Sequence, residues 1–351
     1  ISTQGRELWG ARIGNEAGTR ILVITQQHGN EVQSTEAVLS VIQQLAKSSG
    51  LQTQELLETL NILFMVRANP DGGEPSPDCF IGTPLGAPIQ QDCALNRFNV
   101  DPRAGGGYVA LTEPGFAGTV GVGYNLNRYH FADLSAAIRP VETQTMVSVA
   151  LAWSPEVILD LHGDISKTSC TIDPTTLQIL PGALAFPTAL CAEGSDREAV
   201  VFSPFEFTED GDDYSRILRS RTLASRLAQR VDSSGFGKVN RFAQINTGTG
   251  AANDGGINSY NKLGILVSGW ESLNFLHAVS LSVQSLDLTP AGPQPQLGLT
   301  PEWFLGNQFN GANNQLNRTA LEEALQVVSE WEVAEPMDEA GYCDIPLTTG
   351  V

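Results

Sequence analysis

Hydrophobic and polar positions along the chain follow two periods, one typical of buried strands and the other typical of amphipathic helices. Residues 8–13, 19–27 and 60–68 are short and largely apolar, which is typical of strands inside a sheet. Between the second and third of these runs, residues 31–46 carry apolar side chains at helical spacing. The first part of the chain therefore predicts strands that alternate with a helix.

The same alternation continues towards the C-terminus. We predict a helix over 140–153, because its first residue is a proline, which is favoured in the first turn of a helix. Apolar runs at 157–161 and 263–269 predict further strands, and helical spacing recurs at 213–231 and 319–331. Strands that alternate with helices indicate an α/β fold, with a mainly parallel or mixed sheet and helices on both of its faces.

The composition excludes several classes of protein. Of the 351 residues, 41% are hydrophobic and 17% are charged, which supplies enough apolar material for a core and excludes a disordered chain. Acidic residues outnumber basic ones by 39 to 20, and the net charge of −19 disfavours binding to nucleic acid or to an anionic membrane surface. No apolar run approaches the ~20 residues that a membrane-spanning helix needs. We expect a soluble globular protein with neither kind of partner.

Five cysteines bear on the cellular compartment. Cys79 and Cys93 flank one Gly- and Pro-rich segment, and Cys170 and Cys191 flank another, so the spacing is compatible with two loop-closing disulfides. Disulfides persist in oxidising compartments and would indicate a secreted or periplasmic protein. The alternative is five buried free thiols, and Cys343 has no assigned partner.

Two of the four histidines directly follow predicted strands. His28 follows the second strand, and Glu31 opens the next helix three residues later. Because the chain turns between them at Gly29, their two side chains can converge on one point. His162 comes directly after the predicted strand 157–161. Imidazole and carboxylate are ligands suited to Zn²⁺, whereas the alternative is a surface histidine beside a helix-capping glutamate.

Further polar residues lie at other predicted strand ends. An Asn-Pro-Asp-Gly turn at 69–72 follows the third strand, and Glu271 follows the strand at 263–269. In open α/β sheets, sites form beyond the carboxyl ends of the strands. We therefore expect a single cleft that contains this turn, His28, His162 and Glu271.

These motifs occur in the order and approximate spacing of a known family. The chain resembles the zinc metallocarboxypeptidases, and the resemblance covers about residues 5–271. It rests on Gln-Gly-Arg-Glu-Leu at 4–8, His-Gly-Asn-Glu at 28–31, Asn-Pro-Asp-Gly at 69–72, Asn-Leu-Asn-Arg at 125–128, Asp-Leu-His at 160–162 and Trp-Glu at 270–271. The resemblance implies a three-layer α/β/α sandwich around a twisted mixed, mostly parallel sheet. It also implies one catalytic Zn²⁺ per chain, bound by His28, Glu31 and His162.

The resemblance also implies roles for residues further along the chain. Glu271 corresponds to the family's general base, which takes a proton from the attacking water. Asn127 and Arg128 match the pair that binds the terminal carboxylate of a peptide, a task that suits a planar guanidinium group. Arg97 lies where the family has the arginine that stabilises the oxyanion, and Arg103 is the alternative.

The natural substrate remains open at this point. Asp254 and Ile257 lie where the family builds its side-chain pocket, and they favour basic and apolar C-terminal residues respectively. The segment at 28–31 is closer to the deacylase relatives aspartoacylase and succinylglutamate desuccinylase, whereas the turn at 69–72 favours peptidases. The main hypothesis is a zinc carboxypeptidase that acts on peptides with a free carboxylate. The alternatives are a zinc amidase or deacylase of the same fold, acting on N-acyl amino acids or cell-wall peptides, and a non-catalytic binding module.

The resemblance ends before the C-terminus of the chain. We expect a catalytic domain at 1–280 and an extension at 281–351, in which a Pro-rich loop leads to a helix that packs on the same domain. Within the matched part, Asn125 replaces an aspartate that the family usually has in its Asp-Leu-Asn-Arg segment.

Overall fold

The structure is a computed structural model that contains both helices and strands. The residues that it describes are 1–29, 31–74, 99–101, 103, 123–124, 126, 140–163, 170–172, 179–181, 199–203, 222–223, 226–234, 239–243, 279–285 and 311–330.

The N-terminal elements follow the predicted order. They are β1 (Trp9–Gly14), β2 (Thr19–Thr25), α1 (Val32–Lys47), α2 (Leu51–Thr59) and β3 (Leu60–Val66). Helix α1 buries Val38, Val41 and Leu45, which lie at the helical spacing found in the sequence. Helix α2 was not predicted, because it buries none of its residues and so carries no apolar stripe.

The C-terminal elements differ more from the prediction. They are α3 (Val141–Trp153), β4 (Val157–Gly163), β5 (Cys170–Ile172), β6 (Ile179–Pro181), β7 (Ala199–Ser203), a helical segment at 226–233, β8 (Val239–Ala243), β9 (Val279–Ser285) and α4 (Gly311–Ser329). The predicted start of the last helix at 319 is wrong, because α4 already begins at Gly311. The predicted strand at 263–269 lies outside the described residues, and so does the predicted helix at 213–231 up to residue 221.

Seven strands form one mixed sheet in the order β1-β3-β2-β4-β9-β7-β8. The four central strands β3, β2, β4 and β9 are parallel to one another. Strand β1 is antiparallel at one edge, whereas β7 pairs antiparallel with β9 and parallel with β8 at the other. Because β2, β3 and β4 run in the same direction, their carboxyl ends meet at one edge of the sheet.

Helices pack on both faces of this sheet, and each face has its own hydrophobic core. On one face α1, the helical segment and α4 contribute side chains such as Val41, Leu227 and Leu321. On the other face α3 packs Met146 against the core that contains Leu22. The predicted three-layer α/β/α sandwich is therefore confirmed. Within the described ranges, no helix combines the length and the apolar character that crossing a membrane would require.

Candidate metal centre and active site

The loop between β2 and α1 is held in shape by polar contacts. Strand β2 ends at Thr25, and Gln26 has a left-handed backbone conformation with a φ of 54°, which turns the chain out of the strand. The Gln26 side chain closes the loop, since its Nε2 donates to the Gly29 carbonyl at 2.7 Å and its Oε1 accepts from Thr35 Oγ1 at 2.8 Å. His28 consequently lies in a buried loop beyond the strand rather than directly at its end.

Glu31 occupies the N-terminal cap position of α1, but its side chain makes no capping hydrogen bond. Its main-chain N–H donates to the His28 carbonyl at 3.0 Å, and its carboxylate contacts two imidazoles. Glu31 Oε1 lies 2.8 Å from His28 Nδ1, and Glu31 Oε2 lies 3.0 Å from His162 Nδ1. All three side chains are buried. The alternative of a capping glutamate beside a surface histidine is therefore wrong.

The three side chains fit a metal ion. Their ligand atoms lie within 4.8 Å of one another, and no other group of His, Cys, Asp and Glu in the described part of the chain converges in this way. The Nδ1 atoms of His28 and His162 are 3.1 Å apart, and two ring nitrogens at this distance need a proton or a cation between them, because their lone pairs repel. Two imidazole nitrogens and a carboxylate are ligands that Zn²⁺ binds at about 2.0–2.2 Å, so their convergence fits this ion.

His162 also contacts a second carboxylate. Asp160 precedes it by two residues on β4 and so lies on the same face of the strand, with its Oδ2 3.0 Å from His162 Nε2. Burial by itself would lower the pKa of His162, but the carboxylates of Asp160 and Glu31 outweigh this effect and raise the pKa to about 10. The cluster of His28, Glu31 and His162 therefore favours a positive charge, which either a proton or a metal ion can supply.

The turn after β3 supports the loop between β2 and α1, which carries His28 and is called the histidine loop below. Asn69 is fully buried, and its main-chain N–H donates to the Gln26 carbonyl at 3.0 Å. Its side-chain Nδ2 donates to the Gln27 carbonyl at 3.2 Å, and its Oδ1 accepts from the Gly72 N–H at 2.9 Å. The Asn-Pro-Asp-Gly turn thus holds the backbone next to His28 through Asn69.

Two buried carboxylates bind the N-terminal segment to this region. Asp71 accepts from Ser2 Oγ at 2.6 Å and forms an ion pair with Arg6 at 2.8 Å. Glu142, in the first turn of α3, accepts from the main-chain N–H of Thr3 at 2.7 Å. Residues 2–6 are therefore anchored both to the turn after β3 and to α3.

Helix α3 also anchors the segment that leads to the Asn-Leu-Asn-Arg motif. Asn99 Nδ2 donates to Glu142 Oε2 at 3.0 Å, and Asn99 Oδ1 accepts from the Tyr124 N–H at 2.7 Å. Gly123 has a φ of +147°, and a Cβ atom there would lie 1.4 Å from the Asn99 carbonyl oxygen, so the close approach requires glycine. Leu126 is buried, and its carbonyl accepts from Thr143 Oγ1 at 3.2 Å.

Solved structures share this architecture. The chain aligns with bovine thrombin-activatable fibrinolysis inhibitor, in complex with tick carboxypeptidase inhibitor, over 94% of its own length and 88% of that chain, with a TM-score of 0.50 and 12% identity. Two metallo-carboxypeptidases align with a TM-score of 0.49. One, from Pseudomonas aeruginosa in complex with (2-guanidinoethylmercapto)succinic acid, is 17% identical over 94% of this chain. The other, from Burkholderia cenocepacia, is 12% identical over 95% of this chain.

These likenesses concern the fold, and the fold is carboxypeptidase-like. The chain spans 63% of the length of each of the two bacterial chains. Among curated protein sequences, none matches the chain.

A family model matches the N-terminal part of the chain. The model of the zinc carboxypeptidases (Peptidase_M14) matches residues 1–164. This range contains His28, Glu31 and His162, so that the cluster capable of holding a metal lies wholly within the residues that match this model.

The structure brings together the three predicted metal ligands, and their binding of zinc stays a prediction. The other predicted site residues lie outside the described residues, and their roles also stay predictions: Arg97, Asn127, Arg128, Asp254, Ile257 and Glu271. The predicted disulfides are likewise not described, since the side chain of Cys170 and the whole of Cys79, Cys93, Cys191 and Cys343 fall outside the described part.

Two arginines within the matched residues 1–164 already have partners. Arg103, the alternative to Arg97, donates from Nε to both carboxylate oxygens of Asp101, at 3.0 and 2.9 Å, and it lowers the pKa of that carboxyl. Arg67 donates to the Gly73 carbonyl at 2.6 Å and forms an ion pair with Glu74 at 2.6 Å. Both contacts are local in the sequence.

Two further residues are linked to the cluster, one through the other, and the sequence analysis assigned a role to neither. They are Asp160 and Gln27, and Gln27 Nε2 donates to Asp160 Oδ2 at 2.5 Å. A signal for Asp160 was available, because an acidic residue two positions before a candidate ligand lies on the same face of a buried strand. Gln27 carried no such signal, since its contact crosses from the end of β2 to β4.

Proposed function

We propose that the chain is a zinc-dependent carboxypeptidase that removes the C-terminal residue from peptides. The observation that carries the proposal is the buried convergence of His28, Glu31 and His162, within residues that match the zinc carboxypeptidase model. We expect one Zn²⁺ per chain, because two imidazoles and one carboxylate form the ligand set of a catalytic zinc site with one open position.

The catalytic roles are assigned from the sequence motifs. Zinc bound at this cluster would polarise the scissile carbonyl and lower the pKa of a water molecule to ~7. Glu271 accepts a proton from the attacking water and returns it to the amine that leaves. Arg97 donates hydrogen bonds to the carbonyl oxygen as negative charge develops on it. Arg103 is the less suitable candidate, because its guanidinium group already pairs with Asp101.

Asn127 and Arg128 would bind the free carboxylate of the substrate. A guanidinium group can donate two parallel hydrogen bonds to a carboxylate, which lysine cannot do. The buried position of Leu126, directly before this pair in the sequence, supports the assignment because it anchors the segment that leads to them. Asp254 and Ile257 would line the pocket for the side chain of the residue that is removed.

One observation favours a second function. The segment His-Gly-Asn-Glu at 28–31 resembles that of zinc deacylases, and an acyl amino acid also offers a free carboxylate to Arg128. A zinc amidase or deacylase that acts on N-acyl amino acids or cell-wall peptides is therefore the alternative.

Matched substrates separate these functions. We would assay blocked peptides as free acids and as C-terminal amides, together with N-acyl amino acids, before and after removal of metal by a chelator. A carboxypeptidase cleaves only the free-acid peptides, and chelation abolishes this activity until zinc is restored. Equal rates on the acid and the amide would replace the proposal by an endopeptidase or amidase, and cleavage of N-acyl amino acids alone would replace it by a deacylase. No turnover by zinc-loaded protein would favour the binding module.

We further propose, from the cysteine spacing alone, that the protein is secreted or periplasmic. The spacing is compatible with disulfides between Cys79 and Cys93 and between Cys170 and Cys191, which are stable only in oxidising compartments. Peptide mapping without reduction should reveal both cross-linked peptides. Free thiols at all four positions would remove the basis for this location.

A further inference from the structure

Asp160 is a buried carboxylate that contacts the metal cluster without being part of it. It is fully buried on β4, which lies between β2 and β9 in the centre of the sheet. Its Oδ2 is 3.0 Å from His162 Nε2 and accepts from Gln27 Nε2 at 2.5 Å. Its Oδ1 has no hydrogen-bond partner in the described part of the chain. A buried charge in such surroundings is costly, so its position calls for an explanation.

We propose that Asp160 is a positioning residue, which fixes His162 in the tautomer and ring orientation that metal binding requires, and that Gln27 holds Asp160 in place. This inference rests on the metal centre of the proposed function.

The chemistry of imidazole explains the need for such a residue. A neutral histidine carries one proton, and the nitrogen without the proton is the one that can bind a metal. When His162 donates its Nε2–H to Asp160, the lone pair of Nδ1 faces His28 Nδ1 and Glu31 Oε2, at 3.1 and 3.0 Å. The opposite tautomer would place a proton at the position of the metal and would direct the lone pair of Nε2 at a carboxylate. Asp160 therefore favours the tautomer that can bind.

Asp160 cannot bind the same ion as the cluster. It contacts Nε2 of His162, whereas the other two ligands of the cluster lie beside Nδ1 of the same ring. The two nitrogens point away from each other across the imidazole, so the ring separates Asp160 from the metal position. A carboxylate on the outer nitrogen of a ligating histidine also makes the histidine a stronger ligand.

Gln27 links the two parts of the chain that carry the histidines. Strands β2 and β4 are parallel neighbours, with Ile24 opposite Asp160. Gln27 follows the end of β2, and its Nε2 reaches across to Asp160 Oδ2 on the neighbouring strand. Because the next residue is His28, one hydrogen bond relates the backbone of one ligand to the orientation of the other. Gln27 Oε1 has no hydrogen-bond partner among the described residues, so the bond to Asp160 orients this amide.

The test is Asp160→Asn in the full-length protein, with zinc affinity measured by competition against a chelator. Asparagine has nearly the same size but lacks the charge, so its amide oxygen is a weaker acceptor for the Nε2–H of His162 than the carboxylate is. We expect the affinity for zinc to fall about 10–100-fold. We also expect the absorption bands of the Co²⁺-substituted protein to shift, because the orientation of one ligand changes. Gln27→Met should shift both quantities in the same direction, but less, since Asp160 then keeps its contact with His162.

Glu142→Gln is the matched control. It makes the same change from carboxylate to amide at another fully buried position, where the partners are Thr3 and Asn99 rather than the cluster. Its zinc affinity and Co²⁺ spectrum should equal those of the wild type. An equal loss of affinity in Glu142→Gln would overturn the inference, since the effect would then come from the loss of any buried charge.

The remaining outcomes separate the inference from the proposed function. If the wild type and Asp160→Asn bind zinc equally and give the same Co²⁺ spectrum, the positioning role is wrong and the metal centre stands. If the wild type binds no zinc, both are wrong. Circular dichroism establishes whether Asp160→Asn folds; if it does not fold, Gln27→Met decides, and an unchanged affinity and spectrum in that variant would overturn the inference.

Discussion

Replacing Asn69 by alanine tests how strongly its buried side-chain hydrogen bonds, in the turn after β3, stabilise the protein. The side chain of Asn69 donates to the Gln27 carbonyl at 3.2 Å and accepts from the Gly72 N–H at 2.9 Å, in a fully buried position. Alanine leaves both main-chain groups without this partner. Each buried group that loses its partner costs about 1–3 kcal/mol, so we expect the free energy of unfolding of the zinc-free protein to fall by about 2–6 kcal/mol.

Asn15→Ala is the matched control for this prediction. Asn15 makes an equivalent pair of bonds, since its Nδ2 donates to the Glu58 carbonyl at 2.8 Å and its Oδ1 accepts from the Ala17 N–H at 3.1 Å. These bonds are exposed, so water can replace the lost side chain, and we expect a change below about 1 kcal/mol. Urea unfolding of chelator-treated protein, followed by tryptophan fluorescence, measures both values. Equal losses in the two variants, or a loss below about 1 kcal/mol for Asn69→Ala, would refute the reasoning.

Further predictions concern the metal and the catalytic groups. In zinc-free protein the pKa of His162 is raised from 6.5 to about 10. The protonated side chain therefore contributes fully to the stability of the fold below pH 6.5, and this contribution is lost as the pH rises towards 10. Thermal unfolding across this range checks the sign. Zinc must displace the proton of His162, so calorimetric titration near neutral pH in buffers of different ionisation enthalpy should reveal proton release. Glu271→Gln should retain zinc but lose about 10²–10⁴-fold in turnover, and near wild-type turnover would make Glu271 a structural residue. Arg128→Ala should lower kcat/KM steeply on free-acid peptides while C-terminal amides remain poor substrates for both forms, since a desolvated charge pair that loses one partner costs about 2–5 kcal/mol.

Local patterns predicted the elements that bury a regular face. Helix α1 and strands β2 and β3 were predicted within two residues of their ends, because a buried face imposes its period on the sequence. Other elements were missed, including strands β7, β8 and β9. Helix α2 buries no residue, and β5 and β6 have three residues each, which is too short for a period to be recognised.

The sequence alone determined which residues could form a metal site. The types and spacing of His28 and Glu31, and the position of His162 after an apolar run, point to zinc chemistry, because few side chains can bind this ion and strand ends are where α/β sheets place such groups. The resemblance to zinc carboxypeptidases rested on the same residues, and the family match over residues 1–164 agrees with it.

Only the tertiary structure decided how these residues meet and what holds them. His28 and His162 are 134 positions apart in the sequence, and their 3.1 Å contact exists because β2 pairs directly with β4. The contacts of Asp160 with Gln27 and of Asn69 with the histidine loop likewise cross between neighbouring strands or the turns that follow them. Such contacts depend on the order of strands in the sheet, which is set by packing of the whole chain and leaves no periodic trace in the local sequence.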